Sequence, residues 1–464
     1  MTNARLGIVL AWAGLLAVPA GATTLCVNPG GTSGCKSSIS AAVAVAAAGD
    51  VIQVRPGSYN ESVFIPGGKD GLQIVGASKL TTFVDPDLPL VGSFGIGIGA
   101  NNVQVKNLTI RNGTGPFSIG ISATGTIVQG VRIIGARGVP GPLYAGSGIA
   151  VGSGSSGIQI LNNEIRACRY GVYFLNGVSN STIQGNTIVG SSVAGIFMAG
   201  PTSALNLDNK VLANKISNAA TGISIIGDTN SVNNNALENV PSTGLVVQGL
   251  NPVFQSNKLT AASGAVAFCL GCTGGSVKAN TSLGSNNFGV AAVTDAAGFV
   301  VQGNKISQAA QIGLLLLGNT IQVTQNTVAD VVAPSAVSSN GSCFLVAGTG
   351  HTLSNNSAQR CGGAGFYVNG DANTLNLNTS TGSNHNGFLV DGNSGGPPFT
   401  NAVLTGNKAI STSGQGFGVI NGAVNTALTG NTSTKNRLDL CDMGAGTTVS
   451  PAFPSTSGTC NILQ

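Results

Sequence analysis

Charged residues are scarce in this chain of 464 residues, because Lys, Arg, Asp and Glu together make up 8%, whereas about 25% is usual in globular proteins. Aromatic residues make up only 5%, and the 17 prolines are too few for a collagen-like chain. The formal net charge is +5, and no run of Lys and Arg concentrates it. This composition argues against a nucleic-acid-binding protein and against a disordered acidic or basic tail.

Residues 1–22 have the pattern of a cleaved secretory signal. Arg5 provides the positive start, a 13-residue apolar stretch runs from Leu6 to Val18, and Ala20-Gly21-Ala22 supplies small residues for cleavage. The apolar stretch is too short to cross a membrane, and no later segment offers about 20 consecutive apolar residues. We therefore expect an exported protein without a membrane span, which is secreted or located in the periplasm or at the cell surface.

The nine cysteines fit an oxidising compartment. We expect local disulfides within four pairs that are close in sequence, namely Cys26 with Cys35, Cys269 with Cys272, Cys343 with Cys361, and Cys441 with Cys460. The C-x-x-C pair lacks the βαβ surroundings of a redox motif, and no second such pair or His pair at zinc spacing accompanies it. Cys168 is left over, and we expect no cofactor, with calcium possible but without support.

One short pattern recurs along the chain: an apolar residue, two further positions, Asn, one position, and usually another apolar residue. Examples are STIQGNTI at 181–188 and VVQGNKI at 300–306. The recurring asparagines stand 21 to 30 residues apart, at positions 163, 186, 214, 235, 257, 280, 304, 326, 356, 378, 407 and 431. Eight or nine residues after most of them a Gly-Φ-x-Φ segment begins, where Φ is apolar. Both segments alternate with the period of a β-strand, as in a solenoid.

The recurring Asn side chains are predicted to form an inward ladder. Equivalent residues of stacked coils lie about 4.8 Å apart, and an Asn amide offers two donors and one acceptor to the coils above and below. Leu108 and Val131 occupy the same ladder position in two preceding coils, which gives roughly 14 coils in all. We assign 23–50 to an N-terminal cap with a short Ala-rich helix, 51–438 to the solenoid, and 439–464 to a C-terminal cap or tail.

The run AAVAVAAAGDVIQVRPGSYNESVFI at 41–65, followed by LQIVGAS at 72–78, resembles the start of pectin-lyase-like right-handed parallel β-helix proteins. The resemblance implies an all-β, single-stranded right-handed parallel β-helix. That superfamily includes pectate and pectin lyases, pectin methylesterases, polygalacturonases, alginate epimerases and proteins without known catalysis. The catalytic motifs of the methylesterases, polygalacturonases, pectate lyases and epimerases have no match in this chain, so no catalytic residue is carried over.

The densest group of charged and aromatic residues falls between 111 and 173. It comprises Arg111, Arg132, Arg137, Tyr144, Glu164, Arg166, Arg169, Tyr170 and Tyr173. The ladder register stacks Arg132 on Glu164, an ordinary ion pair. It also stacks Arg137 on Arg169, and stacked like charges would gain from an anion such as a uronate carboxylate. Arg137, Arg166, Arg169 and Tyr173 are therefore the substrate-binding candidates; the alternative is that these arginines merely cover apolar surface.

A second candidate lies near the C-terminus, where His351 and His385, the only two histidines, accompany Arg360, Asp371 and Asp391. The register places His351 over Asn373 and does not require the histidines to meet. Asp371 and Asp391 fall on neighbouring coils and could flank a glycosidic bond or hold calcium. Asp371 also aligns with a row of turn residues, which favours a structural role.

The outward positions of the Gly-Φ-x-Φ segments form an apolar row. It includes Ala150, Tyr173, Phe197, Val246, Ala267, Ala291, Leu315, Leu345, Tyr367 and Leu389. Such a row marks either a contact surface or a face that loops cover, and 201–210, 331–342 and 393–400 are the candidate loops. A partner chain or a glycan is the alternative, so the protein is expected to be a monomer or to associate through this face.

These observations favour an exported protein that binds an extracellular polysaccharide or surface glycan along the side of the β-helix. A polysaccharide lyase acting on a uronate polymer is the first alternative. In that case one Arg would act as the base and another would neutralise the substrate carboxylate. A structural or adhesive surface protein without catalysis is the second alternative.

Overall fold

A computed structural model describes residues 21–86, 94–111, 113, 115–136, 144–199, 205–262, 268–269, 271–292, 296–332, 339–392 and 397–457. The predicted secretory signal therefore lies almost entirely outside the described residues. The described chain winds into stacked coils whose strands pair in parallel with the equivalent strands of the coils before and after. Each full coil contributes one strand to each of three sheets, which we number 1 to 3 in the order in which a coil visits them.

Sheet 1 has 18 strands, at Thr24–Val27, Val51–Val54, Gln73–Gly76, Gln104–Lys106, Ile127–Gln129, Gln159–Leu161, Thr182–Gln184, Lys210–Leu212, Ser231–Asn233, Val253–Gln255, Ser276–Lys278, Val300–Gln302, Gln322–Thr324, Thr352–Ser354, Thr374–Asn376, Val403–Thr405, Ala427–Thr429 and Thr448–Ser450. Sheet 2 has 16 strands, at Gly57–Tyr59, Thr82–Val84, Thr109–Arg111, Arg132–Ile134, Glu164–Arg166, Thr187–Val189, Lys215–Ser217, Ala236–Val240, Lys258–Ala262, Thr281–Leu283, Lys305–Ser307, Thr327–Ala329, Ser357–Gln359, Thr379–Thr381, Lys408–Ile410 and Thr432–Thr434.

Sheet 3 contains the predicted Gly-Φ-x-Φ segments. Its strands lie at Val63–Ile65, Ile96–Ile98, Phe117–Ile121, Ser147–Val151, Tyr170–Phe174, Ala194–Met198, Thr221–Ile226, Thr243–Gln248, Phe268–Cys269, Phe288–Ala292, Ile312–Leu316, Phe344–Val346, Phe366–Val368, Phe388–Asp391, Gln415–Ile420, Leu438–Asp442 and Thr456–Ser457. The alternation of buried and exposed side chains along these strands follows from their period of two, so that one face of every sheet lines a single core.

The predicted asparagine ladder is confirmed, since all twelve asparagines are buried in the corner that leads into sheet 2. The Asn163 amide shows the repeating unit: its Nδ2 donates to Oδ1 of Asn186 at 3.0 Å and to the Val128 carbonyl at 2.9 Å. The backbone N–H of Asn163 also donates to that Oδ1 at 2.9 Å. The same bonds recur from coil to coil as far as Asn407 and Asn431. The ladder thus provides hydrogen-bond partners for buried backbone groups at a corner, where strand pairing does not provide them.

A second, shorter ladder occupies the corner that leads into sheet 1, and the sequence reasoning missed most of it. There the backbone N–H of Ser181 donates to Oδ1 of Asn209, and that of Asn209 to Oδ1 of Asn230, each at 3.0 Å. Further along, the N–H of His351 donates to Oδ1 of Asn373 at 2.9 Å. The predicted stacking of His351 on Asn373 is therefore correct.

The described chain forms 16 coils by the strands of sheet 2, compared with the roughly 14 that we predicted. The two missed coils come first, with the strands Gly57–Tyr59 and Thr82–Val84. By the strand register, the residues at their ladder positions are Gly57 and Thr82, which match neither the Asn pattern nor its apolar replacements. Counting from the ladder consequently began two coils too late.

The predicted N-terminal helix is present at Ile39–Val45. The Ser38 hydroxyl accepts a hydrogen bond from the Ala41 N–H at 3.1 Å, as expected of an N-cap. The Glu61 carboxylate caps the same end, because it accepts from the N–H groups of Ile39 and Ser40 at 2.7 and 2.8 Å. At the other end Nζ of Lys69 donates to the Ala46 carbonyl at 2.5 Å.

The parallel strand pairing extends past both of the solenoid boundaries that we predicted at 51 and 438. Thr24–Val27 precedes the helix and yet pairs with Val51–Val54 in sheet 1. At the far end Leu438–Asp442 pairs with the preceding strand of sheet 3, and Thr456–Ser457 pairs with Leu438–Asp442 in turn.

The disulfides confirm the expectation of local pairs. Cys26 bonds to Cys35 and Cys343 to Cys361, and the partners are 9 and 18 positions apart in the sequence. Cys272 and Cys441 are disulfide-bonded as well; the side chains of their expected partners, Cys269 and Cys460, lie outside the described residues. Cys168 is free and buried, and its burial raises the pKa of the thiol to about 12.

Candidate functional site

The predicted arginine patch lies on the outer face of sheet 2 and at the corner between sheets 2 and 3. The predicted stacking of Arg132 on Glu164 is confirmed by the strand register, and the Arg132 Nε lies 3.3 Å from Oε1 of Glu164. Arg166 reaches the same oxygen from within its own strand, and its Nε donates to Oε1 at 2.5 Å. Arg137 lies outside the described residues.

Glu164 is the anionic centre of this patch. Nζ of Lys79 lies 3.7 Å from Oε2, so three cations surround one carboxylate. Burial alone would raise the pKa of Glu164, but the hydrogen bond from Arg166 and the charges of Arg132 and Lys79 outweigh burial and lower the pKa. Arg166 is thus already bound to a carboxylate of the protein itself.

Arg111 lies in the same row as Arg166, two coils away, as the register predicted. Its guanidinium forms a bidentate pair with Asp85, with the Arg111 Nε 2.7 Å from Oδ1 and a second nitrogen 3.0 Å from Oδ2. It also lies 4.2 Å from the centre of the Phe83 ring. The guanidinium therefore takes part in a structural ion pair with Asp85.

Arg169 lies in the turn that enters sheet 3, and Tyr173 lies on that sheet. The Arg169 guanidinium lies 5.5 Å from the centre of the Tyr170 ring, and in the described part of the chain it has no ion pair. Tyr173 is only 3% exposed, and burial raises the pKa of its hydroxyl. Its ring packs between those of Tyr144 and Phe197, with centres 6.3 and 5.3 Å away.

These rings belong to an aromatic row that runs parallel to the helix axis on the outer face of sheet 3. Sequence reasoning named Tyr144, Tyr173 and Phe197 but did not bring them together with the rings nearer the N-terminus. Toward the N-terminus the row continues from Tyr144 to Phe117 and Phe94, with ring centres 6.5 and 5.6 Å apart. Phe64, which is 56% exposed, stands at its N-terminal end. Four successive coils thus present an accessible or half-buried aromatic ring on the same side of the molecule.

The four N-terminal rings line an open groove of about 500 Å³. Glycines supply its base, because Gly97 and Gly120 occupy the outward positions of two successive strands, next to Ala150. A Cβ atom at Gly97 would lie 3.1 Å from both the Phe64 and Phe94 rings, and one at Gly120 would lie 2.3 Å from the Phe117 ring. The missing side chains therefore allow the rings to lie across the sheet. Ser122 and Ser153 also line the groove.

The groove has the features of a ligand site: a concave apolar surface with few polar groups at its edge. The sequence analysis named Tyr144 among the charged and aromatic residues but did not bring the four rings together, because two of them stand outside the repeating positions. Phe94 and Tyr144 precede the strands Ile96–Ile98 and Ser147–Val151, in turns whose lengths vary from coil to coil. The usable signal was the run of glycines in GIGIG at 95–99, which leaves outward positions without side chains.

The second predicted site is dispersed. His351 is fully buried in the ladder, whereas His385 is partly exposed in a turn. Asp371 accepts a hydrogen bond from the Thr400 N–H at 2.7 Å, as a turn residue does. Asp391 instead accepts from the Tyr367 hydroxyl at 2.5 Å and from Nδ2 of Asn421 at 2.8 Å.

Burial and the hydrogen bond to Asp391 both raise the pKa of the Tyr367 hydroxyl. These carboxylates thus have structural partners in the protein. Across the described residues, no three His, Cys, Asp or Glu side chains gather as a possible metal site.

The predicted apolar row of sheet 3 exists, with one correction in register. Ala267 lies outside the described residues, and Phe268 is the residue paired with Val246 and Ala291. The sequence alignment had slipped by one residue in this segment. The chain itself covers most of the row, since Leu315, Leu345, Tyr367 and Leu389 are at most 8% exposed. In the described residues no helix is long and apolar enough to span a membrane.

Comparison with known proteins agrees with this architecture. Residues 52–216 and 221–346 match the family model described as "Right handed beta helix region". The chain belongs to this right-handed β-helix family. No curated protein matches the chain at a significant level.

Solved structures of β-helix enzymes resemble it only distantly. The catalytic domain of a GH87 α-1,3-glucanase in complex with nigerose is 13% identical, with a TM-score of 0.43 over 95% of this chain and 68% of that chain. A mannuronic-acid-specific polysaccharide family 6 lyase from human gut microbiota is 13% identical, with a TM-score of 0.40 over 89% and 87% of the two chains. Likeness at this level carries no argument about activity.

Proposed function

We propose that this β-helix protein is exported and binds an extracellular polysaccharide along the side of the helix, through the aromatic groove on sheet 3. The observation that supports the proposal is the set of four rings, Phe64, Phe94, Phe117 and Tyr144, which line one open groove parallel to the helix axis. A polymer chain that follows this axis meets one ring at about every 4.8 Å.

The chemistry of the groove fits a sugar chain. The faces of a pyranose ring carry C–H groups, which pack on aromatic rings, whereas its edges carry hydroxyls that need hydrogen-bond partners. The aromatic rings and the serine side chains that line the groove provide both kinds of contact. The glycine base lets the aromatic rings lie across the sheet, and the sheet needs no rearrangement to accept a ligand on them.

Export is part of the proposal and rests on two features. The first 22 residues have the pattern of a cleaved secretory signal. The two described disulfides, and the bonded state of Cys272 and Cys441, fit a protein that folds outside the reducing cytosol.

Binding without catalysis is preferred to the lyase alternative. A lyase of the kind considered above would need one arginine free to take a proton and another to neutralise the substrate. Arg111 and Arg166 are both bound to carboxylates of the protein, which makes them poor candidates for either role. Arg169 remains available for contact with an anionic group of the glycan.

Affinity electrophoresis through gels that contain one polysaccharide each tests the proposal. Phe117→Ala and Tyr144→Ala should each weaken binding about tenfold, equivalent to about 1.4 kcal/mol, because each removes one stacking surface. Phe83→Ala is the matched control, since Phe83 is half-buried on sheet 2, away from the groove.

The proposal fails if no neutral or acidic polysaccharide retards the wild-type protein, or if Phe83→Ala weakens binding as much as the groove variants do. Absorbance of unsaturated uronate products, followed on pectate and alginate, tests the lyase alternative in the same samples. A steady rise in absorbance would replace the binding proposal with catalysis.

A further inference from the structure

A second surface, on the outer face of sheet 2, carries an excess of positive charge. From the strand Arg132–Ile134 to the strand Lys305–Ser307, the outward side chains include two carboxylates, Glu164 and Glu238. The cations among them are Arg132, Arg166, Lys215, Lys258 and Lys305. The excess on this face is therefore +3, compared with +5 for the whole chain.

The three lysines occupy one position of the coil in every second coil. The strand register runs from Lys215 to Ala236 and on to Lys258. It then continues through Thr281 to Lys305. Adjacent coils are about 4.8 Å apart, so successive lysines are about 9.6 Å apart. We call Lys215, Lys258 and Lys305 the lysine row.

The lysine row is available to a ligand. All three side chains are exposed, and in the described part of the chain none of them forms an ion pair. The residues between them, Ala236 and Thr281, are too short to reach or neutralise an ammonium group. This contrasts with the arginine patch on the same sheet, where Glu164 binds three cations.

A shallow depression of about 370 Å³ lies between the first two members of the row. Hydroxyl groups of Thr187, Ser217 and Thr260 line it, together with the carboxylate of Glu238. Ammonium groups, hydroxyls and one acceptor side by side suit a ligand that carries both anionic groups and hydroxyl donors.

We propose that the lysine row binds an acidic polysaccharide with one negative charge per disaccharide, laid along sheet 2 parallel to the helix axis. Two coil rises are close to the length of an extended disaccharide, so each carboxylate of such a chain meets one lysine. The intervening uncharged sugar faces Ala236 or Thr281, and its hydroxyls can donate to Glu238. A polyanion without hydroxyl donors would find only repulsion at Glu238.

Hyaluronan oligosaccharides, which carry one carboxylate per disaccharide, are the probe, and isothermal titration at low salt is the measurement. The triple variant Lys215→Gln, Lys258→Gln, Lys305→Gln should bind at least about tenfold more weakly, because it loses three rim charges. Glu238→Gln should bind more tightly than the wild type, because Gln keeps an oxygen that accepts hydrogen bonds and removes the like charge. Raising the salt concentration should weaken binding by the wild type.

A matched variant separates the row from general charge attraction. Lys106→Gln, Lys210→Gln, Lys278→Gln removes the same charge from the strands of sheet 1 and should stay within about twofold of the wild type if position matters. Equal losses in the two triple variants, or no binding of hyaluronan by the wild type, would overturn the inference. Single-stranded DNA bound as tightly and through the same lysines would overturn it as well.

This inference does not depend on the aromatic groove. Phe117→Ala, titrated with the same oligosaccharides, should bind like the wild type if the two surfaces act separately. If the groove variants bind like the wild type while the lysine triple variant binds more weakly, only the proposed function is wrong. If the reverse is observed, only the inference about the lysine row is wrong.

Discussion

The two halves of sheet 3 use aromatic side chains on opposite faces. In the N-terminal half the rings of Phe64, Tyr173 and Phe197 point outward, and the row of inward residues that contains Ile119 and Ile149 is aliphatic. In the C-terminal half the inward row is a stack of phenylalanines and the outward row is mostly leucine. The four stacked rings, with centres 4.5 to 5.0 Å apart, are those of Phe344, Phe366, Phe388 and Phe417.

The reversal is matched by the opposite wall of the core. On sheet 2 the inward residues of the N-terminal coils are large, such as Ile133 and Ile165, whereas those of the C-terminal coils are small, such as Ala358, Ser380 and Ala409. A core at close packing has a fixed volume per coil, so large rings on one sheet require small residues on another. The same repeating coil therefore supports an aromatic interior in the C-terminal half and an exposed aromatic groove in the N-terminal half.

Truncating the interior stack should have the largest effect on stability. Phe366→Ala leaves a cavity in a fully buried site and should lower the free energy of unfolding by about 3–5 kcal/mol. Phe64→Ala, at the exposed end of the outer row, should change the free energy of unfolding by no more than about 0.5 kcal/mol. Urea unfolding followed by circular dichroism measures both. Similar losses at the two positions would mean that the halves do not differ as described.

The second prediction concerns acid, which should affect the stability of the two halves differently. His351 occupies a ladder position that Ser181, Asn209 and Asn230 fill nearer the N-terminus. Its Nδ1 accepts from the Ile321 N–H at 3.2 Å, and its Nε2 lacks a hydrogen bond of normal geometry. Burial lowers the pKa of His351 from 6.5 to about 4, and the nearby Gly318 carbonyl offsets only part of that effect.

Between these two pKa values the unfolded chain binds a proton that the native chain does not. The free energy of unfolding should therefore fall as the pH decreases from about 6.5 to about 4, by up to about 3 kcal/mol. His351→Asn should remove this dependence, because Asn373 already fills the next ladder position. His385→Asn, in a partly exposed turn, is the control. An unchanged acid slope in His351→Asn would show that another group is responsible.

The outer face of the C-terminal half offers the smallest effect. Tyr367→Phe removes the hydroxyl that donates to the partly buried Asp391 carboxylate and should cost about 1–3 kcal/mol in free energy of unfolding. Tyr170→Phe is the counterpart in the N-terminal half, where the described residues show no hydrogen bond from that hydroxyl, and it should be close to neutral. Equal costs would indicate that the Asp391 contact contributes nothing specific.

The repeating parts of this structure could be predicted from the sequence, whereas the parts that do not repeat escaped prediction. The Asn ladder and the pairing of Arg132 with Glu164 followed from register alone. The hydrogen bond from Arg166 to Glu164 did not, because the two residues share a strand and the long Arg side chain bends along it. The register compares residues across strands and gives no indication of such a contact.

The aromatic groove escaped for a related reason. Tyr173 was selected because it lies close in sequence to the arginines, and its side chain is buried once its neighbours are in place. The accessible rings of Phe94 and Tyr144 come from turns of irregular length. The rings of the groove can lie across the sheet because Gly97 and Gly120 have no side chain. A glycine at a given position is a weak signal in a chain with 70 glycines.

Parallel stacking makes the extent of each binding face adjustable. Because every strand pairs only with its counterparts one coil before and after, the duplication of one coil would lengthen the molecule by about 4.8 Å and leave the remaining coils in contact as before. Gene duplication of that unit would thus add one more rung to a face without redesigning it. The number of saccharide units that such a protein can hold would then vary among its descendants in fixed increments.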